Sequence, residues 1–217
     1  MTDVHNLGLF ILAGWLLNLT PGPDVLFIVS SALRSGAKAG VVAALGITAG
    51  CFVHIFAAAL GVSALMAASS TAFTALKWAG AAYLFYVGLK LVLSPGTKPV
   101  ELTAANPVQT SDKHLKSIFF KGFLTNTLNP KVALFFLAFV PQFIAPQASH
   151  PALTFVLLGV LFNVNALPVN VGYALLAAWA TRRLTAVQRA LRWLDRVAGV
   201  MFVGFGIRLA LTEAPGG

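Results

Sequence analysis

The sequence predicts an all-α polytopic membrane protein with six transmembrane helices, arranged as two inverted three-helix repeats with helix breaks in spans 1 and 4. Three observations support this prediction. Of the 217 residues, 58% are hydrophobic and only 10% are charged, whereas a soluble domain is about 45–50% apolar and about 25% charged. Six apolar runs reach the roughly 20 residues that a spanning helix needs. Two of these runs are interrupted, at matching positions, by a proline followed by a charged residue.

The six apolar runs follow one another with short connections, except for one polar, proline-containing stretch. The predicted spans are Leu7–Leu33, Val41–Met66, Phe73–Leu93, Ile118–Phe143, Ala152–Ala180 and Leu194–Leu211. Helices are expected because backbone groups in hydrocarbon must be hydrogen-bonded within their own segment. Residues 94–116 are predicted to form a cytoplasmic linker between a first repeat, 1–93, and a second repeat, 117–217.

The basic residues predict the orientation in the membrane. Twelve of the 15 Lys and Arg residues lie in the first, third and fifth connections or in the adjoining ends of the spans. Cytoplasmic loops carry such an excess, so both termini are predicted to be periplasmic. Because the charges lie mainly between apolar runs, they indicate topology signals beside the lipid bilayer, and we predict no nucleic-acid partner.

The supply of metal-binding and redox side chains argues against an enzyme. Cys51 is the only cysteine in the chain, which excludes an intrachain disulfide, a CxxC redox pair and a cysteine cluster. His54 is the only histidine inside a predicted span, whereas a haem or metal subunit needs several ligands there. We therefore predict no cofactor, no metal site and no enzymatic activity.

The interrupted runs contain the strongest functional signal. Thr20-Pro21-Gly22-Pro23-Asp24-Val25 breaks the first span, and Thr127-Leu128-Asn129-Pro130-Lys131-Val132 breaks the fourth, 107 positions later. A proline inside a helix removes a hydrogen bond, and a charge at the bilayer centre costs about 2.5–3.5 kcal/mol on insertion scales. With three spans per half, the second half is inverted, as in transporters whose substrate sites lie at discontinuous helices. The alternative is that the prolines are structural kinks.

These considerations predict a substrate site at the two breaks. Lys131 is expected to face a substrate carboxylate, and Asp24 to face its ammonium or a transported proton; a structural ion pair between them is the alternative. Gly22 and Asn129 are expected to permit the local backbone geometry of the breaks, since glycine and asparagine tolerate positive φ best. Asp24 and His54 are the proton-coupling candidates, although a packing role for His54 is also open. The predicted substrate-binding residues are Thr20, Pro21, Gly22, Pro23, Asp24, Asn126, Thr127, Asn129, Pro130, Lys131 and Asn163.

Two further patterns concern the second and fifth spans. Asn163 and Asn170 are seven positions apart and share a helix face, whereas Asn165 does not, so at least one of that pair is expected to face the cavity. Gly36/Gly40 and Gly46/Gly50 are glycine pairs at four-residue spacing, which predicts close helix packing.

Several motifs resemble the LysE-type amino-acid exporters, which include threonine and homoserine efflux proteins. They are Leu19-Thr20-Pro21-Gly22-Pro23-Asp24, Gly46-Ile47-Thr48-Ala49-Gly50, Leu76-Lys77-Trp78-Ala79-Gly80-Ala81-Ala82-Tyr83-Leu84, Lys121-Gly122-Phe123-Leu124-Thr125-Asn126, Asn129-Pro130-Lys131 and Gly204-Phe205-Gly206-Ile207. The resemblance implies a bacterial inner-membrane protein that exports amino acids by using the proton motive force. A passive channel, a small membrane subunit of a larger complex and a homo-oligomer remain open.

Overall fold

The computed structural model describes residues 3–68, 111–145 and 147–179, together with scattered helical residues between 71 and 93 and between 197 and 207. Within these ranges every regular element is a helix, and a single β-bridge joins Val4 to Ile144. Most of the predicted linker and all the basic residues of the fifth connection lie outside the described residues.

Five α-helices account for most of the described chain. They are α1 (Leu7–Leu19), α2 (Pro23–Ala68), α3 (Asp112–Thr127), α4 (Pro130–Leu134) and α5 (Pro151–Trp179). After α4 the chain continues as a π-helix, Phe135–Phe139, and a 3₁₀-helix, Val140–Phe143. α3 begins six residues before the predicted fourth span because Ser111 caps it, its side chain accepting a hydrogen bond from the His114 amide at 3.3 Å.

By length and hydropathy alone, two stretches qualify as membrane spans: Pro23–Gly61, which contains the non-helical residue Gly36, and Pro151–Trp179. The bent pair Asp112–Thr127 and Pro130–Phe143, which changes direction by 46°, makes a third if it forms one span. The helical membrane-protein class is therefore confirmed, whereas the six spans and their inverted arrangement stay predictions.

The long helix α2 reverses its direction at Gly36. This residue has φ 83° and ψ 176°, a conformation that glycine adopts far more easily than other residues. A Cβ added to Gly40 would lie 2.6 Å from the Ala32 Cβ, although eight residues of straight helix would separate the two by about 12 Å. We name the antiparallel arms α2a (residues 23–35) and α2b (residues 37–68).

The reversal corrects the predicted packing role of Gly36 and agrees with the predicted position of the first connection. Gly36 is not a packing glycine, because a Cβ added there would have nothing within 4 Å. Its role is to turn the chain, while Gly40 does pack closely against Ala32 and Ala174. The reversal lies between Arg34 and Lys38, where the sequence predicts the first connection.

α2b crosses α3 at very short distance through small residues. A Cβ on Gly50 would lie 2.5 Å from the Phe123 carbonyl oxygen, and one on Gly46 would overlap the backbone of Phe119. From the other side, a Cβ on Gly122 would lie 2.7 Å from the Ala43 carbonyl oxygen. The predicted packing role of Gly46 and Gly50 is confirmed, and this contact holds the end of α3 beside the middle of α2b.

The two ends of the bundle join different parts of the chain. At one end, the Ser35 hydroxyl and His114 Nε2 are 3.3 Å apart, which places the reversal of α2 beside the start of α3. At the other end, the His5 amide donates to Phe143 O at 3.0 Å and the Ala145 amide donates to Asp3 O at 2.9 Å. The first connection and the start of α3 therefore share one end, as the distribution of basic residues predicts.

Buried aromatic rings fill the space between α1, the π-helix and α5. Adjacent centroids lie 4.9–6.4 Å apart, within the range of favourable aromatic pairs. The cluster comprises Phe10, Phe135, Phe136, Phe139, Phe143, Phe155 and Phe162. These rings pack α1 and α5 against the π-helix and the 3₁₀-helix.

Candidate functional site

Each predicted break separates two helices, and a proline begins the second of each pair. α1 ends at Leu19 and α2 begins at Pro23, whereas α3 ends at Thr127 and α4 begins at Pro130. Proline is well placed at a helix start, because the amide that it lacks would have no partner within the helix. The prolines therefore end one helix and start another, and they are not kinks within a continuous helix.

Neither Gly22 nor Asn129 uses the tolerance of positive φ on which its predicted role at the break rests. Asn129 has φ −80° and ψ 107°, and its Oδ1 accepts a hydrogen bond from the Lys131 amide at 3.0 Å, so it is the N-cap of α4. Gly22 is not among the described residues with positive φ. A Cβ on Gly22 would lie 3.1 Å from Lys131 Nζ. A side chain at position 22 would therefore crowd the Lys131 ammonium.

Lys131 reaches across to the end of α1. Its Nζ donates hydrogen bonds to Leu17 O at 3.1 Å and to Thr20 O at 3.0 Å. The last carbonyls of a helix have no partner within it and carry partial negative charge, so an ammonium is stabilised there. The Tyr173 hydroxyl, from α5, donates to Leu19 O at 2.8 Å. The C-terminus of α1 is thus capped by side chains from α4 and α5.

Asp24 makes the reciprocal contact with the end of α3. Its Oδ2 accepts a hydrogen bond from Asn126 Nδ2 at 2.8 Å. Asp24 lies in the first turn of α2a, where the helix dipole favours a negative charge. Lys131 and His54 are the basic groups that interact with it electrostatically. Lys131, which follows the proline of the second break, therefore binds the last turn of α1, before the first break. Asp24, which follows the proline of the first break, binds the last turn of α3, before the second break.

His54 connects α2b to the same turn of α3. Its Nε2 lies 2.8 Å from Asn126 O, and because a carbonyl oxygen only accepts, Nε2 carries the proton. Asn126, which is 3% exposed, thus binds Asp24 through its side chain and His54 through its backbone. Asn126 therefore bridges His54 and Asp24.

A small cavity lies between the two breaks, and its enclosed space of about 20 Å³ holds little more than one water molecule. Its polar lining comes from α1, α2a, α3, α4 and α5 and consists of Asn18, Asp24, Asn126, Lys131, Asn163 and Asn170. Both Asn163 and Asn170 reach it, in agreement with their predicted common face, whereas Asn165 donates to Leu161 O of its own helix at 3.0 Å.

The other predicted residues do not line this cavity. Thr20 Oγ1 donates to Leu16 O of its own helix, so this threonine satisfies a broken helix end. Thr127 Oγ1 is buried without a hydrogen-bond partner in the described chain. The remaining residues shape the breaks and are Pro21, Gly22, Pro23, Asn129 and Pro130. Asn18, which lines the cavity, and Tyr173, which caps α1, were not predicted from the sequence. A polar residue just before a break could have indicated Asn18, whereas nothing in the sequence indicates Tyr173.

Three cavity-lining polar atoms are buried without a hydrogen-bond partner among the described residues. Asp24 Oδ1 and Asn126 Oδ1 are acceptors, and Asn18 Nδ2 is a donor. Because buried polar groups are almost always paired, unpaired ones call for an explanation such as a bound water or ligand. The cavity thus offers two unpaired acceptor oxygens, one on Asp24 and one on Asn126. It also offers one unpaired donor, on Asn18, in addition to the Lys131 ammonium. Within the described ranges, no three His, Cys, Asp or Glu side chains converge as a metal site would require.

Comparison with known proteins agrees with these features. The chain is 38% identical over 199 residues to an uncharacterized membrane protein of Pseudomonas aeruginosa, a match that covers 88% of each chain. It is 31% identical over 217 residues to one of Vibrio cholerae, covering 98% of this chain and 100% of the relative. The Bacillus subtilis membrane protein YrhP is 28% identical over 221 residues. No solved structure matches.

The family model for LysE type translocators matches residues 15–213. The match contains both helix breaks and all the residues that line the cavity. It extends over nearly the whole chain. This protein therefore belongs to the LysE type translocator family.

Proposed function

We propose that this protein is a secondary active transporter of the bacterial inner membrane that exports small amino acids or their derivatives from the cytoplasm by proton antiport. In this proposal both termini are periplasmic. The observation that carries it is the cavity between the two helix breaks, where a carboxylate, an ammonium and unpaired amide groups meet. Membership of a translocator family supports transport as the general function.

The cavity chemistry is complementary to an α-amino acid. The ammonium of a zwitterion donates to Asp24 Oδ1 and Asn126 Oδ1, which lack partners in the described chain. Its carboxylate accepts from Lys131 and from Asn18 Nδ2. Such charge-assisted hydrogen bonds are roughly twice as strong as neutral ones. A zwitterion therefore satisfies every unpaired group on the cavity wall.

Asp24 also provides a simple route to antiport. Asp24 Oδ1 makes no hydrogen bond within the described chain, although the Asn129 side chain interacts with this carboxylate. In the proposal this oxygen binds either the substrate ammonium or a proton, but not both. If the empty carrier returns only with Asp24 protonated, each exported molecule is exchanged for a proton. His54 contacts the residue that positions Asp24, which makes it either a proton relay or a fixed hydrogen-bond donor.

Efflux from loaded cells tests the proposed function. Cells that express the protein are loaded with dipeptides, and the amino acids that leave are measured with and without a protonophore. We expect efflux above that of empty cells, and a marked loss of it with the protonophore. Efflux that ignores the protonophore would refute proton coupling, and no efflux of any amino acid would refute export. Counterflow in vesicles separates a carrier from a passive channel.

Two substitutions at His54 distinguish its possible roles. His54→Gln keeps an N–H donor for Asn126 O but cannot be protonated, whereas His54→Leu removes both properties. If His54 only positions Asn126, we expect His54→Gln to retain protonophore-sensitive efflux and His54→Leu to lose it. Equal loss of proton coupling in both variants, with both still inserted, would instead identify His54 as the proton relay.

A further inference from the structure

We propose that the site selects amino acids with small, uncharged side chains, and that Phe162 sets the size limit. This inference rests on the proposed function and concerns only the part of the substrate that the charged residues leave unbound. The groups at the two breaks bind the ammonium and carboxylate common to all α-amino acids. The side chain is then left facing the walls formed by α2a, α2b and α5.

The charge of the cavity argues for uncharged side chains. Among the described lining residues, Asp24 is the only carboxylate and Lys131 is the only ammonium. An α-amino and an α-carboxylate group occupy both. A third charge on the substrate side chain would enter a wall that contains Val25, Ile47 and Cys51 without a counter-charge. A buried charge without a partner is strongly unfavourable, so lysine-like and glutamate-like substrates are disfavoured.

The size limit follows from how Phe162 is held. It lines the cavity, is 3% exposed, and lies 4.9 Å from the ring of Phe135 and 5.3 Å from that of Phe136, centroid to centroid. On the other side, a Cβ on Gly14 would lie 3.1 Å from the Phe162 ring. Rings on one side and a helix backbone on the other leave the ring no room to swing away. It is therefore a rigid wall.

Phe162 is flanked along α5 by residues with complementary roles. Ala166, one turn later, lines the same wall with a small side chain. Asn163 donates to Thr48 O at 3.0 Å and anchors this part of α5 to α2b. The wall therefore has a fixed position relative to the breaks, and its depth depends on the side chains at 162 and 166.

Counterflow with the full-length protein in liposomes tests this inference, with labelled alanine, leucine, phenylalanine, lysine and glutamate as probes. We expect the wild type to carry alanine best and to leave lysine and glutamate at background. Phe162→Ala should raise the leucine-to-alanine and phenylalanine-to-alanine ratios about 10-fold or more, since a single methylene in a pocket is worth roughly 10- to 200-fold. Ala166→Val should lower the same ratios.

Phe155→Ala is the matched control. Phe155 lies on α5, is 1% exposed, packs on Phe136 with centroids 6.2 Å apart, and does not line the cavity. It should leave the substrate ratios unchanged, although it removes an equally buried ring. Unchanged ratios in both Phe162→Ala and Ala166→Val, or lysine or glutamate transport as fast as that of alanine, would overturn the inference. Absence of counterflow with any amino acid would refute the proposed function itself.

Discussion

Replacing Lys131 with methionine tests whether this residue is a helix cap, a substrate ligand or both. Methionine has a similar length but neither charge nor donors. The change removes two hydrogen bonds, to Leu17 O and Thr20 O, at 3.1 and 3.0 Å. Each is made by a charged donor to a carbonyl at the end of α1. We expect the end of this helix to be destabilised and transport to be lost.

The size of the destabilisation follows from the two lost hydrogen bonds. Hydrogen bonds from a charged donor each contribute about 1.5–3 kcal/mol to the free energy of unfolding, a net figure that already includes desolvation, so the loss is about 3–6 kcal/mol. At roughly 2–4 °C per kcal/mol for a chain of this length, the melting temperature should fall by roughly 6–24 °C. Thermal unfolding in detergent resolves such a shift, and an unchanged melting temperature would refute the capping role.

The double variant Asp24→Asn/Lys131→Met separates substrate binding from a structural ion pair. If the two residues only neutralise each other, removing both charges together should restore export. If both bind substrate, export stays absent although part of the lost stability returns. We expect the second result, measured as dipeptide-loaded efflux normalised to the amount of protein in the membrane. Wild-type efflux from the double variant would refute a substrate-binding role for this pair.

Three further changes probe the remaining elements. Asp24→Asn keeps an acceptor for Asn126 but replaces a charge-assisted hydrogen bond to the substrate by a neutral one. The apparent affinity for substrate should therefore fall roughly 5- to 30-fold, while the protein still inserts into the membrane. Efflux measured against substrate concentration gives this affinity. Gly50→Ala places a methyl 2.5 Å from an α3 carbonyl oxygen and should lower the free energy of unfolding by about 1–3 kcal/mol, whereas Gly172→Ala, with nothing within 4 Å, should not. Gly36→Ala should lower it by about 1–3 kcal/mol through φ alone, and the open helical position Gly61 should tolerate alanine without loss.

The sequence was sufficient to locate the breaks and the elements around them. Proline in an apolar run has a direct local consequence, so the helix ends near residues 20 and 128 could be predicted. The common face of Asn163 and Asn170 followed from helical periodicity alone, and both line the cavity. These features depend on spacing along one helix, which a sequence displays.

The roles of individual side chains at the breaks depend on distant neighbours and were not accessible in this way. Gly22 was assigned to local backbone freedom, but the group that it lies against is the Lys131 ammonium, 109 positions away in the chain. Gly36 and Gly46 each begin a four-residue glycine pair, yet only Gly36 turns the chain. The four-residue spacing cannot distinguish a turning glycine from a packing glycine, because the role depends on whether another segment approaches the glycine from outside its helix.

The reciprocal contacts link the two breaks mechanically. Lys131 stabilises the end of α1 and Asp24 binds the end of α3, so neither half-helix can move without disturbing a charge of the other break. Under the proposed function, a substrate carboxylate competes with the α1 carbonyls for Lys131, whereas its ammonium binds the second oxygen of Asp24 and leaves the hydrogen bond from Asn126 in place. Binding would then loosen the end of α1 while the end of α3 stays held. The charge that caps α1 in the empty site is the same charge that the substrate carboxylate needs, which is a physical basis for coupling binding to movement.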